Sequence, residues 1–179
     1  MALGATIYKF SVSLSDVDRG VYETLEARLA QHPSESDIYL VARVLAWTIL
    51  WREDLQFGRG VSTPDEADIW AGPDHDIALW VEIGMPSMDR LTKMTKRAGS
   101  VIVVPHKPWE PNLVQPESVF GADRVQICGL DLRVLSALAE KLERNNSWNV
   151  LISDGHIWIS VGEETFDCLI EWGRLEPAG

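Results

Sequence analysis

The stretch DIWAGPDHDIALWVE, residues 68 to 82, decides how this chain is read. Two runs rich in strand-forming residues, ADIWA (67 to 71) and DIALWVEI (76 to 83), flank Gly72-Pro73-Asp74-His75, whose composition suits a turn. A β-hairpin centred on His75 sets Trp70 opposite Trp80 and Asp68 opposite Glu82. Directly opposed side chains stand about 5 Å apart at Cβ, so the two carboxylates repel each other unless a cation binds between them. Ile77, Leu79, Val81 and Ile83 form the apolar face of the second strand, and Ala78, Trp80 and Glu82 the other. A carboxylate inside such a strand is costly unless it is paired, hydrogen-bonded or bound to metal. Mg²⁺ commonly takes one or two carboxylates plus water and substrate phosphate, and this pair offers that. The plainer alternative is a solvated hairpin whose acids are surface residues.

Both flanks of the hairpin bear on that choice. Upstream, Ser34 followed by Asp37 resembles a capping box and opens an apolar-periodic helix to about Trp51, most of whose circumference should be buried. Glu35, read in its first turn, aligns with Tyr39 and Arg43 as a polar row on this apolar helix. The row either points at the acidic hairpin or reflects an acid favoured at a helix N-terminus beside a solvated Arg43. Downstream, Gly84 and Pro86 end the strand, and residues 87 to 98 form a short amphipathic helix. Arg90, Lys93 and Arg97 share one face of it, and with Lys96 they are the one basic cluster in a chain of net charge −11. A solvated face is the usual explanation, but cations directly after an acidic strand are also what phosphate binding beside a metal requires.

Working outward, residues 5 to 14 alternate, with Tyr8, Phe10, Val12 and Leu14 on one side, and read as a half-buried strand. Residues 21 to 30 fit either a helix or a second strand, and the strand is preferred. EDLQFGRG reads as a loop, SVIVV (100 to 104) as a buried strand, and Pro105 to Pro116, with four prolines, as irregular loop with Trp109 and Leu113 tacked onto the core. RVQICGL suggests a strand and residues 131 to 144 a helix. NVLIS, HIWISV and FDCLIEW close the chain as strands, with Asp154-Gly155 a hairpin turn between the first two. Hairpins alternate with crossovers, so the expected fold is α/β (α+β) with a mixed sheet flanked by helices, in a single domain over residues 1 to 179.

Composition narrows the function classes. Hydrophobic residues make up 46% and charged residues 24%, which excludes a disordered chain. The net charge argues against a surface that coats nucleic acid, so any such role must be local. MALGATIYKF has neither a basic leader nor an apolar core, and no later run is long enough to span a bilayer, which predicts a cytoplasmic protein without membrane contact. Cys128 and Cys168 read as small buried hydrophobes rather than a disulfide. His32, His75, His106 and His156 lack zinc-ligand spacing and read as turn or loop residues, and no serine-nucleophile elbow, Walker loop or dinucleotide fingerprint occurs.

MALGATIYKF, HPSES, LAW, LQFGRG, the acidic hairpin with LWVEIGMP, the RLTK helix and SDGHIWIS together resemble the YaeQ family of bacteria, nearly end to end. That family resembles PD-(D/E)xK nucleases, a superfamily of Mg²⁺-dependent phosphodiesterases with a mixed sheet between helices. The resemblance implies a restriction-endonuclease-like core with added N- and C-terminal antiparallel strands. It makes Glu35 the helix acid, Asp68 the first motif acid and Glu82 the second, all three toward Mg²⁺ or Mn²⁺. The superfamily lysine stands two residues after the second acid, where this chain has Gly84, and the resemblance passes its role to Lys93. On this reading Asp68 and Glu82 hold the metal, Lys93 orients water or stabilises developing charge, and Arg43 or Arg90 holds a flanking phosphate.

Three functions remain open on the sequence. One is a metal-dependent nuclease acting on a local nucleic-acid site. The second keeps the nuclease-like fold as a binding module without catalysis, to which Gly84 and the net charge lean. The third is a protein-interaction role, suggested by eight tryptophans and by Trp109 in particular.

Overall fold

The computed structural model describes residues 4–60, 65–108 and 115–175. The chain opens with a long hairpin, β1 (Thr6–Asp16) and β2 (Val21–Gln31), antiparallel from Thr6 opposite Gln31 to Asp16 opposite Val21. The alternation that predicts β1 holds, since Phe10, Val12 and Leu14 are buried while their neighbours Lys9 and Ser13 face solvent. Strand parity also wins over helical period in β2, where Leu25 and Leu29 face the core.

Helix α1 (Asp37–Ile49) follows, two residues shorter than its apolar pattern suggests. Its cap is Ser36, whose hydroxyl accepts the Tyr39 N–H at 3.1 Å, and not Ser34. The segment HPSES offers two serines at capping spacing, and the turn at residues 33–35 selects the second. Glu35 therefore sits just before the cap and not in the first turn. Every residue of α1 from Tyr39 to Ile49 is buried.

EDLQFGRG is not wholly loop, because Gln56–Phe57 forms a two-residue strand, β3, against β4 (Ile69–Ala71). The hairpin of β4 with β5 (Ile77–Ile83) has the expected register, Trp70 opposite Trp80, with Ile69 opposite Val81 and Ala71 opposite Leu79. Then come α2 (Met88–Arg97), β6 (Ala98–Val104), β7 (Val125–Gly129) and α3 (Leu132–Glu140). Helix α3 ends four residues before its predicted limit because strand β8 (Asn145–Ser153) begins early to pair in parallel with β1. Asp154 and Gly155 both adopt positive φ, 51° and 69°, and turn β8 into β9 (His156–Val161) as the Asp-Gly pair predicts.

The single mixed sheet of the sequence reading is in fact two. Strands run β10-β9-β8-β1-β2 in one sheet and β11-β7-β6-β5-β4-β3 in the other, and each mixes parallel with antiparallel pairs. FDCLIEW, read as one strand, divides around Ile170 into β10 (Glu164–Leu169) and β11 (Glu171–Arg174), one in each sheet. Helices α1 and α3 touch each other, and one continuous core joins them to both sheets, so they lie between the two. A second core forms on the far face of the six-stranded sheet, where Leu91 and Met94 of α2 cover Trp80, Val101, Val103 and Val125.

Cys128 and Cys168 are buried and carry free thiols, as their apolar settings suggest. No helix among the described residues is long and apolar enough to cross a membrane. Trp109 and Leu113 fall outside the described residues.

Candidate functional site

The parallel strands β5 and β6 end side by side, with Glu82 opposite Val103 and Ile83 opposite Val104. In sheets of this kind the crevice beyond the carboxyl ends of parallel strands is where ligands bind. Here that end is unusually polar. Among the described residues nine polar or charged side chains are buried, and four of them, Asp68, Glu82, Glu35 and Arg43, gather around it.

Asp68 lies one residue before β4, on the extension of the register that would place it against Glu82. Its Oδ2 accepts the backbone N–H of Ile83 at 2.7 Å, and its Oδ1 accepts the Tyr39 hydroxyl, brought by α1. Burial pushes the Asp68 carboxyl up to about 6, and the nearby charge of Glu82 adds to this against the opposing effect of the Tyr39 hydrogen bond. The Tyr39 phenol is in turn driven well above its ordinary range, first by burial and then by Asp68. Both effects favour the protonated phenol, which donates its hydrogen bond to Asp68.

Glu82 faces α2. The Arg90 guanidinium holds both of its oxygens, through Nε to Oε1 and through a terminal nitrogen to Oε2 at 3.0 Å, and the Trp80 indole N–H donates to Oε2 at 3.1 Å. The same pairing raises the Arg90 pKa. A forked, charge-assisted contact of this type is among the stronger polar interactions a protein makes. Arg90, expected to hold a phosphate, is thus engaged with the second acid, and it also donates to the Glu66 carbonyl at 3.3 Å.

Arg43 does not reach a surface phosphate. It is 1% exposed, donates to the Gly58 carbonyl and lies 5.4 Å from the centre of the Phe57 ring. Its charge acts on the site from within, lowering the pKa of both Asp68 and Tyr39. Glu35 and Arg43 flank Gly60, whose φ of 84° favours glycine and where a Cβ would collide with the Glu35 carboxylate. Lys93 is exposed, one turn along α2 from Arg90, and makes no ion pair among the described residues.

His106 lies in the loop after β6, as the sequence reading has it, and there it packs edge-on against Tyr39, with centroids 5.6 Å apart, and borders Gly84. Burial lowers its pKa, assisted by Lys107. Nothing in its spacing signals this, because the contact depends on how residues 105–108 leave β6. The role of Trp80 was legible in principle, since two residues along a strand share a face and its indole falls beside Glu82.

Gly84 has φ 136° and donates its N–H to the Val104 carbonyl at 2.9 Å. Side chains rarely adopt that backbone conformation. Gly84→Lys, which would place a lysine two residues after Glu82, is therefore expected to cost about 1–3 kcal/mol of stability, as a fall in the urea midpoint would show.

The donor set fits a two-carboxylate cation site, the number Mg²⁺ usually takes from protein. Asp68 and Glu82 are both buried and close enough to raise the Asp68 pKa, and each carboxylate oxygen has lone pairs beyond the hydrogen bonds it accepts. Glu35 does not join them, because no three of His, Cys, Asp and Glu among the described residues stand together as metal ligands. A cation there also has to compete with Arg90 for Glu82.

Fold and site together define a mixed α+β protein whose described residues form two mixed sheets, three α-helices and a buried acid–arginine–tyrosine cluster at a parallel-strand end. The chain belongs to the YaeQ family, whose model matches residues 1–170. It is 35% identical over 167 residues to the YaeQ protein of Escherichia coli (strain K12), covering 89% of this chain and 91% of that one, and equally so to that of Shigella flexneri. Among solved structures, YaeQ from Pseudomonas syringae superposes with a TM-score of 0.88 at 31% identity, covering 96% of this chain and 98% of the other. YaeQ from Xanthomonas axonopodis pv. citri gives 0.82 at 28%, covering 91% and 94%.

Proposed function

We propose that this protein binds nucleic acid locally through the basic face of α2 and hydrolyses its phosphodiester bonds with Mg²⁺ or Mn²⁺ held by Asp68 and Glu82. The observation that carries the reading is two buried, adjacent carboxylates directly beside the chain's basic cluster. The resemblance to PD-(D/E)xK nucleases points the same way. Bound there, the cation would polarise the scissile phosphate and supply a water of lowered pKa.

The chain's own groups have distinct tasks in this scheme. Tyr39 and the Ile83 N–H fix the orientation of Asp68. Arg90 holds Glu82 until a phosphate competes for its guanidinium, which is well shaped for either anion. Lys93, exposed on the same face, stabilises charge that develops on the phosphate. Arg43 works at a distance, its charge offsetting that of Asp68.

A second reading is a binding module without hydrolysis. The Arg90–Glu82 pair and the backbone of Gly84 favour it, since both keep the usual catalytic arrangement from forming unaided. Incubating purified protein and its Glu82→Gln variant with single-stranded DNA or RNA and Mg²⁺ or Mn²⁺ separates the two. Cleavage by the parent alone supports hydrolysis, whereas binding without cleavage supports the module. Equal cleavage by both would trace the activity to a contaminant.

A further inference from the structure

Two hollows lie beside α2, separated by one side chain. The first, about 340 Å³, is lined by Arg90, Lys93, Lys96 and Arg97, with Asp65 its one acid. The second, about 370 Å³, is lined by Phe57, Trp70, Ile77 and Trp80, with Glu66 and Asp74 at its side and Arg59 3.5 Å from the Glu66 carboxylate. Trp80 and Arg97 belong to both. Arg97 forms the partition, its guanidinium 5.1 Å from the centre of the Trp80 ring and tied to the Asp65 carbonyl at 2.6 Å.

The two hollows differ in the chemistry they accept. Cations dominate the first, which suits a phosphate. The second combines aromatic and aliphatic walls with two carboxylates balanced by Arg59 and Arg97, so it draws a phosphate less than the first does, while its acids accept N–H donors, as the edges of adenine, cytosine and guanine present. Trp70 is half-buried there, so part of its ring faces the space. A flat, apolar body with polar edges, attached to an anion one partition away, describes a nucleotide.

We infer that the Trp70 hollow takes an unpaired nucleobase while the phosphate beside it rests on the α2 cations, so that the substrate class is single-stranded nucleic acid. Bases in a duplex are stacked and cannot enter such a pocket without being extruded, whereas those of a single strand are free to lie on an aromatic side chain. The inference rests on the proposed function for its phosphate but adds the strand type and the base contact, neither of which follows from Asp68 and Glu82.

The test is fluorescence anisotropy of a labelled ten-nucleotide oligodeoxyadenylate, its abasic counterpart and a duplex, without divalent metal so that binding is read apart from cleavage. The single strand should bind more tightly than the other two. Trp70→Ala should weaken it about 5- to 150-fold, the usual effect of losing one stacking ring. Trp70→Phe should recover most of that, and neither change should affect the abasic strand. Circular dichroism guards against misfolding, and the abasic comparison needs no variant. Equal affinity for single strand and abasic strand, or for Trp70→Ala and parent, overturns the inference even if cleavage is observed. Base-dependent binding without cleavage by parent protein sustains it while removing the hydrolytic reading. No binding of any strand removes both.

Discussion

Glu82→Gln is expected to reduce metal-dependent cleavage by about 1000-fold or more, because a metal's stabilisation of the transition state amounts to several kcal/mol and each 1.4 kcal/mol is tenfold. Glutamine preserves the volume of the side chain but has no charge and one acceptor oxygen in place of two. It also turns an amide donor toward Arg90, which occupies both oxygens of Glu82. The variant should therefore lose about 1–3 kcal/mol of stability as well, the cost of leaving a polar group in this position without its partner. Activity lost together with this modest destabilisation supports a Glu82 that is both ligand and anchor. Activity retained at full stability would contradict both roles.

Trp80→Ala should have the largest effect on stability, about 3–5 kcal/mol, the usual range for removing a buried aromatic residue. Trp80 is 2% exposed and joins three structures, namely the second core under α2, the cross-strand pair with Trp70 and the Arg97 stack. Its indole N–H also holds Glu82. In a protein of this size the loss corresponds to a melting temperature lower by about 6–20 °C, measurable by calorimetry. Trp80→Phe separates packing from hydrogen bonding: it fills most of the space but offers no donor, and should cost less while still disturbing Glu82. Equal losses for the two variants would mean that the indole N–H outweighs the packing.

The hairpin register was readable because a turn of Gly, Pro, Asp and His leaves little freedom in where it centres, and the flanking tryptophans then face each other. The strand alternation of β1 and the Asp154-Gly155 turn were readable for the same reason, since each depends on local geometry. What was not readable depends on contacts distant in sequence. Ile170 sits inside an unbroken strand-like run, and nothing local marks it as the point where the chain passes from one sheet to the other. The early end of α3 follows from the pairing of β8 with β1. The two serines of HPSES are equivalent caps until the turn before α1 is formed.

The candidate site divides along the same line. Asp68 and Glu82 were legible as a pair because their register is local. Their actual partners were not, since Tyr39 and Arg90 reach them from different helices and Arg90 is one of several similar cations on α2. Glu35 sits two residues earlier relative to the helix than the Ser34 cap implies, just before Ser36, and it does not join Asp68 and Glu82 as a third ligand. His106 gave no signal at all, because its place beside Tyr39 is set by the fold.

A cation site formed by Asp68 and Glu82 is tested by thermal unfolding of the parent protein and of Asp68→Asn, each with and without Mg²⁺ or Mn²⁺. A ligand at one hundred times its dissociation constant stabilises the folded state by about 2.7 kcal/mol. For a chain of this length that is a rise of about 5–10 °C. Such a rise is expected in the parent and none in Asp68→Asn. No rise in the parent, or the same rise in both proteins, would contradict it.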